Sequence, residues 1–127
     1  MTTAPDESEL RVLVVDDSKD VADTLGLMLQ MSGFDVQVAY GGEEALNRGH
    51  VFKPHCVLTD IAMPGMDGYR LAERMRRDEV MHDVTLVAIT GNPDEAKAKA
   101  AGFDDQLIKP ADPERIERII RKNSAHR

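Results

Sequence analysis

Short, almost uninterrupted apolar runs alternate along this chain with longer segments of helical spacing. Continuous apolar runs of four to six residues are typical of strands that are covered on both faces. Their alternation with helical segments favours parallel strands joined by crossover helices. The pattern therefore predicts one α/β domain with a five-stranded parallel sheet, in a doubly wound (βα)5 arrangement.

Apolar spacing and turn residues place the boundaries of these elements. Gly33 is predicted as a left-handed residue that ends the first helix, Asp67 and Gly68 open the third, and Asn92-Pro93 is predicted to begin the fourth. The fourth helix is expected to be the loosest, because alanines replace larger anchoring side chains. The predicted strands are 12–15, 35–39, 56–59, 84–89 and 107–108, and the predicted helices are 19–32, 43–48, 68–77, 94–101 and from 113 onward.

The length of 127 residues is enough for one domain with its own core. We expect residues 1–9 to be a disordered leader, 10–123 the domain and 124–127 a frayed tail. The single Cys56 allows no internal disulfide, no apolar stretch approaches the roughly 18 residues of a membrane span, and the acidic N-terminus is unlike a signal peptide. These features predict a cytoplasmic protein with no membrane partner.

A net charge of −7, from 23 acidic and 16 basic residues, argues against direct binding to nucleic acid. Two basic stretches on helices are predicted to be solvated outer faces. Met28, Met31 and Met75 are expected to fill gaps in the core, whereas Met63 and Met66 are candidates for a docking surface. The basic stretches are Arg70, Arg74, Arg76 and Arg77, followed by Arg115, Arg118, Arg121 and Lys122.

Polar side chains lie at the ends of four of the predicted strands. Asp16 and Asp17 follow the first strand and Asp60 follows the third. Thr90 closes the fourth, and Lys109 comes directly after the fifth. In an open parallel sheet the carboxyl ends of the strands meet at one edge, where crevices that bind ligands lie. We therefore expect these five side chains to converge.

Three carboxylates in one place need a positive partner, because two unit charges about 4 Å apart repel by roughly 4 kcal/mol at an effective dielectric of 20. A divalent cation and Lys109 are the natural partners, and an all-oxygen ligand set favours Mg2+, with Mn2+ able to substitute. A carboxylate beside such a cation can act as a nucleophile toward phosphorus. Lys109 and the Thr90 hydroxyl would then cover the remaining phosphoryl oxygens. Taken alone, the acidic pair could instead cap the next helix through Asp17 or Ser18.

Four motifs, in order, resemble the receiver domain of two-component response regulators over about residues 10–123. They are Val-Val-Asp-Asp at 14–17, Leu-Thr-Asp-Ile-Ala-Met-Pro-Gly-Met-Asp-Gly at 58–68, Ala-Ile-Thr-Gly at 88–91 and Ile-Lys-Pro at 108–110. The resemblance implies the flavodoxin-like, CheY-like strand order 2-1-3-4-5.

The resemblance also implies roles for individual residues. Asp60 would be the phosphoacceptor. Thr90 would be the switch hydroxyl that moves toward the phosphoryl group, and Lys109, before a cis proline, would pair with that group. The implied Mg2+ ligands are Asp16, Asp17, Asp60 and the backbone carbonyl of Ala62.

The resemblance implies partners as well. The phosphoryl donor would be a phosphohistidine on a sensor histidine kinase or a histidine phosphotransfer protein, and a downstream protein would bind the phosphorylated form. Such a domain catalyses only its own phosphorylation and dephosphorylation, and is expected as a monomer or weak dimer.

One position departs from the family pattern. Gln106 stands where the family usually has an aromatic ring that turns inward when the switch hydroxyl moves, so a different coupling is expected. Two other functions stay open. A Mg2+-dependent phosphohydrolase would need an acid/base Asp where Ala62 stands, and a pseudo-receiver would act as an interaction module without phosphorylation.

Overall fold

The computed structural model describes residues 10–124, and the predicted leader 1–9 and most of the predicted tail, 125–127, lie outside this range. Five parallel strands form one sheet in the order β2-β1-β3-β4-β5, which confirms the expected topology. The elements in chain order are β1 Arg11–Val15, α1 Lys19–Met31, β2 Asp35–Ala39, α2 Gly42–Phe52, β3 Cys56–Asp60, α3 Gly68–Arg76, β4 Thr85–Thr90, α4 Glu95–Ala101, β5 Asp105–Ile108 and α5 Pro113–Ser124.

The sheet has a separate apolar core on each face. Side chains of α1 and α5, such as Leu29 and Ile120, pack on one face with Val12, Val14 and Leu58 of the strands. Side chains of α2, α3 and α4 pack on the other face, where Leu13, Val57 and Leu86 are fully buried. Both faces of the central strands are covered, which explains why their sequences are continuously apolar.

Strand register aligns the carboxyl ends of the strands. Asp60, the last residue of β3, pairs with Ile89, and Thr90, the last residue of β4, pairs with Ile108. Because the side chains of a strand alternate between faces and the strands are parallel, residues at these ends meet above one edge of the sheet. The polar residues predicted for the site therefore start from neighbouring positions.

The start of α3 lies unusually close to the end of β3. Asp67 caps this helix, since its Oδ1 accepts a hydrogen bond of 2.9 Å from the backbone N–H of Arg70. A Cβ at Gly68 would lie 2.5 Å from the backbone oxygen of Asp60 and 2.8 Å from the Cα of Ile61. Only glycine allows this approach, because both neighbours are backbone atoms.

Some helix ends differ from the sequence expectations. Gly33 has the predicted positive φ, at 104°. The prediction that Asn92-Pro93 begins the fourth helix was wrong: α4 begins at Glu95, capped by Asp94, whose Oδ1 accepts from the N–H of Lys97. Helix α2 runs four residues past its predicted end and stops at Lys53, which adopts a left-handed φ of 53° without being glycine.

Several burial predictions were also wrong. Met31, expected in the core, is 80% exposed on α1, whereas Met75 is fully buried. Met63, a candidate for a docking surface, is buried in the core that α2, α3 and α4 cover. Arg76, predicted on a solvated face, is only partly exposed and makes several hydrogen bonds to backbone carbonyls. No helix within residues 10–124 is long and apolar enough to cross a membrane.

Candidate functional site

Three carboxylates converge at the carboxyl edge of the sheet. Asp16 and Asp17 directly follow β1, and Asp60 ends β3. One carboxylate oxygen from each residue lies within 4.8 Å of the other two. Asp16 and Asp60 are each only 7% exposed, while Asp17 is exposed. The cluster therefore has two buried members and one that faces solvent.

Lys109 is the cation of this cluster. Its Nζ lies 3.0 Å from Oδ1 of Asp60, which makes an ion pair between the ends of β5 and β3. Its backbone N–H donates a 2.9 Å hydrogen bond to the carbonyl of Thr90, so the end of β5 is attached to the end of β4. The Lys109-Pro110 peptide is cis, as the resemblance implied.

Thr90 lies at the end of the strand next to Asp60 and is buried. Its Oγ1 accepts a 3.0 Å hydrogen bond from the backbone N–H of Asn92. The hydroxyl therefore holds the first turn of the loop that leads to α4. The structure does not show a hydrogen bond between Thr90 and Asp60, so in this state Thr90 is bonded to its own loop.

The surroundings of Asp16 disfavour its charged form. Burial is the largest cause of the raised pKa of this carboxyl, and the neighbouring charges of Asp60 and Asp17 raise the pKa further. A hydrogen bond of 2.9 Å from the backbone N–H of Ser18 and the charge of Lys109 act in the opposite direction. Lys109 alone does not offset the repulsion, so a further cation would be favourable here.

Ala62, expected to supply a carbonyl ligand, lies in the exposed part of the loop after β3, two residues beyond Asp60. The loop is held at Ile61, whose carbonyl accepts hydrogen bonds from the N–H groups of Met63 at 3.1 Å and Gly68 at 2.9 Å. The segment that carries Asp60 and Ala62 is thus attached directly to the start of α3.

A groove of about 690 Å3 opens beside the acidic cluster and runs between α1 and α5. Its polar end contains Asp16, Asp60 and Lys109, and its walls are mostly apolar. Met28 was expected in the core, but it lines this groove together with Val21 of the same helix, and both are partly exposed. Their spacing on α1, starting one turn after Asp16, was the available signal, since it places them on the site side of the helix.

Gln106 lies on β5 opposite Ala88 of β4, two residues before the level of Thr90. Its Oε1 is buried and has no hydrogen-bond partner in residues 10–124. A buried acceptor without a partner is unfavourable. Gln106 and Thr90 lie on neighbouring strands, two residues apart in register.

These observations define a doubly wound α/β domain with an acidic, lysine-containing site at the carboxyl edge of its sheet. The family described as the response regulator receiver domain matches residues 12–121 of the chain. The chain therefore belongs to the response regulator receiver domain family, whose members act in two-component systems.

Relatives and solved structures agree with this assignment. The chain is 34% identical to the DNA-binding response regulator MtrA of Mycolicibacterium smegmatis, over 91% of this chain and 51% of that protein. It is 36% identical to an uncharacterized 14.6 kDa protein of Leptolyngbya boryana, over 91% of this chain and 90% of that protein. A response regulator receiver protein from Pseudomonas putida superposes with a TM-score of 0.84 at 29% identity, covering 90% of this chain and 97% of that one. The chain spans about half the length of several curated relatives that it matches, MtrA among them.

Proposed function

We propose that this domain accepts a phosphoryl group on Asp60, in a Mg2+-dependent reaction, and thereby changes which protein partner it binds. The observation that carries the proposal is the ion pair of 3.0 Å between Lys109 Nζ and Asp60 Oδ1, formed within a cluster of three carboxylates. This arrangement holds one aspartate oriented and surrounded by groups that can bind the oxygens of a phosphoryl group.

The proposed transfer begins with the attack of an Asp60 carboxylate oxygen on the phosphorus of a phosphohistidine. A P–O bond forms, the P–N bond breaks, and the imidazole leaves with the electron pair of that bond and takes a proton from water. The product is an aspartyl phosphate. Lys109 would move from the Asp60 carboxylate to a phosphoryl oxygen, and the Thr90 hydroxyl would donate to another.

The residues present fit a Mg2+ ion. The carboxylates of Asp16, Asp17 and Asp60 form an oxygen ligand set of the kind that Mg2+ prefers, with few protein ligands and room for water and phosphate oxygens. The backbone carbonyl of Ala62, an exposed residue, is the proposed fourth protein ligand. When bound, the ion would neutralise negative charge on the phosphoryl oxygens. Mn2+ is expected to substitute.

We propose a phosphohistidine of a sensor histidine kinase or of a phosphotransfer protein as the donor, because the family acts in two-component systems. The domain itself would catalyse only its own phosphorylation and dephosphorylation. Its partner after phosphorylation would be a protein, since its net charge of −7 disfavours direct binding to nucleic acid.

Intact-mass analysis tests the proposal. The parent protein, incubated with a small phosphodonor and Mg2+, is expected to gain one phosphoryl group, which base removes and which chelation of the metal prevents. Asp60→Asn is expected to gain none. Asp35→Asn is the matched control, because Asp35 is an exposed aspartate at the start of the edge strand β2, at the opposite edge of the sheet from Asp60, and should not affect the reaction.

Other results would lead to other functions. Equal modification of the parent and Asp60→Asn would contradict the assignment of the acceptor. A parent that binds Mg2+ but is never modified would favour a pseudo-receiver, and steady turnover of a simple phosphate ester would favour a phosphohydrolase.

A further inference from the structure

Arg76, the last residue of α3, makes hydrogen bonds to four residues in two segments of the chain, 82–84 and 102–104. Its Nε and Nη2 donate to the carbonyl of Gly102, at 2.9 and 2.7 Å. Its Nη1 donates to the carbonyls of His82, at 2.9 Å, and Val84, at 2.7 Å. Its Nη2 also lies 2.9 Å from Oδ2 of Asp104. All three guanidinium nitrogens are thus engaged with groups that lie around the end of α4.

Asp104 extends this cluster into the sheet. The Oδ2 atom that pairs with Arg76 also accepts a 2.8 Å hydrogen bond from the backbone N–H of Leu86 in β4. A Cβ at Gly102 would lie 2.7 Å from Cγ of Arg76, so the arginine stem packs directly against the residue that ends α4. The C-terminal end of α4 is therefore fixed at once to α3, to the segment before β4, and to β4.

The N-terminal end of α4 is held by weaker contacts. The loop from Gly91 to Asp94 is exposed, and its hydrogen bond to the sheet side runs from the N–H of Asn92 to Thr90 Oγ1. The first turn contacts α3 through the ammonium of Lys97, which lies 4.6 Å from the ring centre of Tyr69. A single neutral hydrogen bond and a partly exposed cation–π contact are weaker than several charge-assisted hydrogen bonds.

The other flank of α4 has space beside it. A groove of about 980 Å3 separates α4 from β5 and α5, and it is lined by Ala96, Lys99, Ile108 and Arg115 among others. Packing on α3 and the Arg76 contacts therefore restrain one side and one end of the helix, while the other side faces open space.

We propose that Arg76 fixes the C-terminal end of α4 in place. A change in the hydrogen bonding of Thr90 then moves the N-terminal end of this helix and leaves its C-terminal end where it is. The coupling follows from one contact. If the Thr90 hydroxyl turns toward Asp60, the N–H of Asn92 loses its acceptor, and the loop that starts α4 is released. This inference rests on the proposed function only in one respect: phosphorylation of Asp60 is the event that would turn the Thr90 hydroxyl.

Residue-resolved amide hydrogen exchange of the unphosphorylated protein tests the anchor directly. The N–H groups of Lys97 and Ala98 report on the N-terminal end, and those of Gly102 and Phe103 on the C-terminal end, because each donates a hydrogen bond there. Rates are divided by the rate at Leu58, a buried residue of the central strand, which reports global unfolding.

Arg76→Gln is expected to accelerate exchange at Gly102 and Phe103 by about tenfold or more relative to Leu58, with a smaller effect at Lys97. Thr90→Val, which removes the acceptor but keeps the side-chain shape, should accelerate exchange at Asn92 and Lys97 and leave Gly102 unchanged. Arg77→Gln is the matched control, because Arg77 is the adjacent exposed arginine and should change neither end.

A second arm adds the small phosphodonor and Mg2+. Among residues 91–104, amide changes in the parent are expected to stay within residues 91–98. In Arg76→Gln, with the same mass gain, they should extend through residues 101–104. Uniform acceleration along α4 in either variant, or no effect of Arg76→Gln at Gly102, would overturn the anchor. Absence of any mass gain would reject the proposed function, while the first arm would still decide on the anchor.

Discussion

Asp16 and Asp17 are adjacent in sequence but lie in different surroundings. Asp16 is buried beside Asp60, and burial together with the neighbouring carboxylates raises its pKa, whereas Asp17 is exposed to solvent. A carboxyl whose pKa is raised by folding favours the folded state when it is protonated, and this contribution is lost as the pH rises through the folded-state pKa. Near neutral pH, ionised Asp16 therefore destabilises the metal-free protein.

We expect Asp16→Asn to increase the free energy of unfolding of the metal-free protein at pH 7 by about 0.5 to 2 kcal/mol, the usual gain from one stabilising substitution. The amide keeps an oxygen that can accept from the N–H of Ser18 and removes the charge. Urea denaturation in the presence of a chelator measures the change. The gain should disappear as the pH falls below the ordinary range of Asp, where the parent carboxyl is neutral in both states.

Asp17→Asn serves as the comparison for this measurement, because it removes a charge from the same cluster at an exposed position. Its effect on stability should be smaller, while both variants should weaken Mg2+ binding. Equal effects of the two variants on stability would contradict the importance of burial at Asp16.

At the residue scale, the sequence predicted which side chains the structure brings together. Residues at the carboxyl ends of parallel strands all lie at the same edge of the sheet. The convergence of Asp16, Asp60 and Lys109 therefore followed from topology. Arg76 could not be predicted in the same way. Its partners are mainly backbone carbonyls, 6 and 8 residues away at His82 and Val84 and 26 residues away at Gly102, and a carbonyl carries no sequence signal.

At the scale of single elements, the junction between β3 and α3 is closely packed. Gly68 begins α3 against the backbone of Asp60 and Ile61, and this contact fixes the loop that carries Ala62. The helix cannot shift outward without breaking the hydrogen bond from the N–H of Gly68 to the carbonyl of Ile61.

We expect Gly68→Ala to destabilise the protein by about 1 to 3 kcal/mol, the usual cost of adding a methyl group to a closely packed site. It should also weaken Mg2+ binding, because the displaced helix start moves the loop next to Asp60. Urea denaturation and metal titration measure the two effects. Gly91→Ala is the control: a Cβ there meets no atom within 4 Å, so a similar loss of stability would contradict the steric explanation.

The sequence predicted element ends least well where the residue at the end is of a type that seldom occupies such a position. Helix α2 ends at Lys53, a lysine with positive φ, and no glycine or asparagine signals that end. The start of β5 was missed because Asp105 and Gln106 are polar residues on an edge strand. Strands β3 and β4, which are buried along their whole length, were predicted to within about one residue because continuous burial demands apolar side chains.

The whole domain is built on one sheet with a core on each face, and β3 is the central strand of that sheet. We expect Leu58→Ala, at a fully buried position of β3, to destabilise the protein by about 2 to 5 kcal/mol. Ile108→Ala is the control. Ile108 is 57% exposed on the edge strand, so this variant should lose much less stability. Thermal and urea unfolding of both variants measure the difference, and equal losses would contradict the central role of β3.

Cys56 is the single cysteine of the chain and is 1% exposed at the beginning of β3, in the centre of the sheet. A thiol in this position can meet a reagent in solution only when the strands around it separate. Its alkylation rate under native conditions therefore reports how often these strands separate, without denaturant and without an engineered cysteine. The natural sequence thus contains its own probe of how often the centre of the sheet opens.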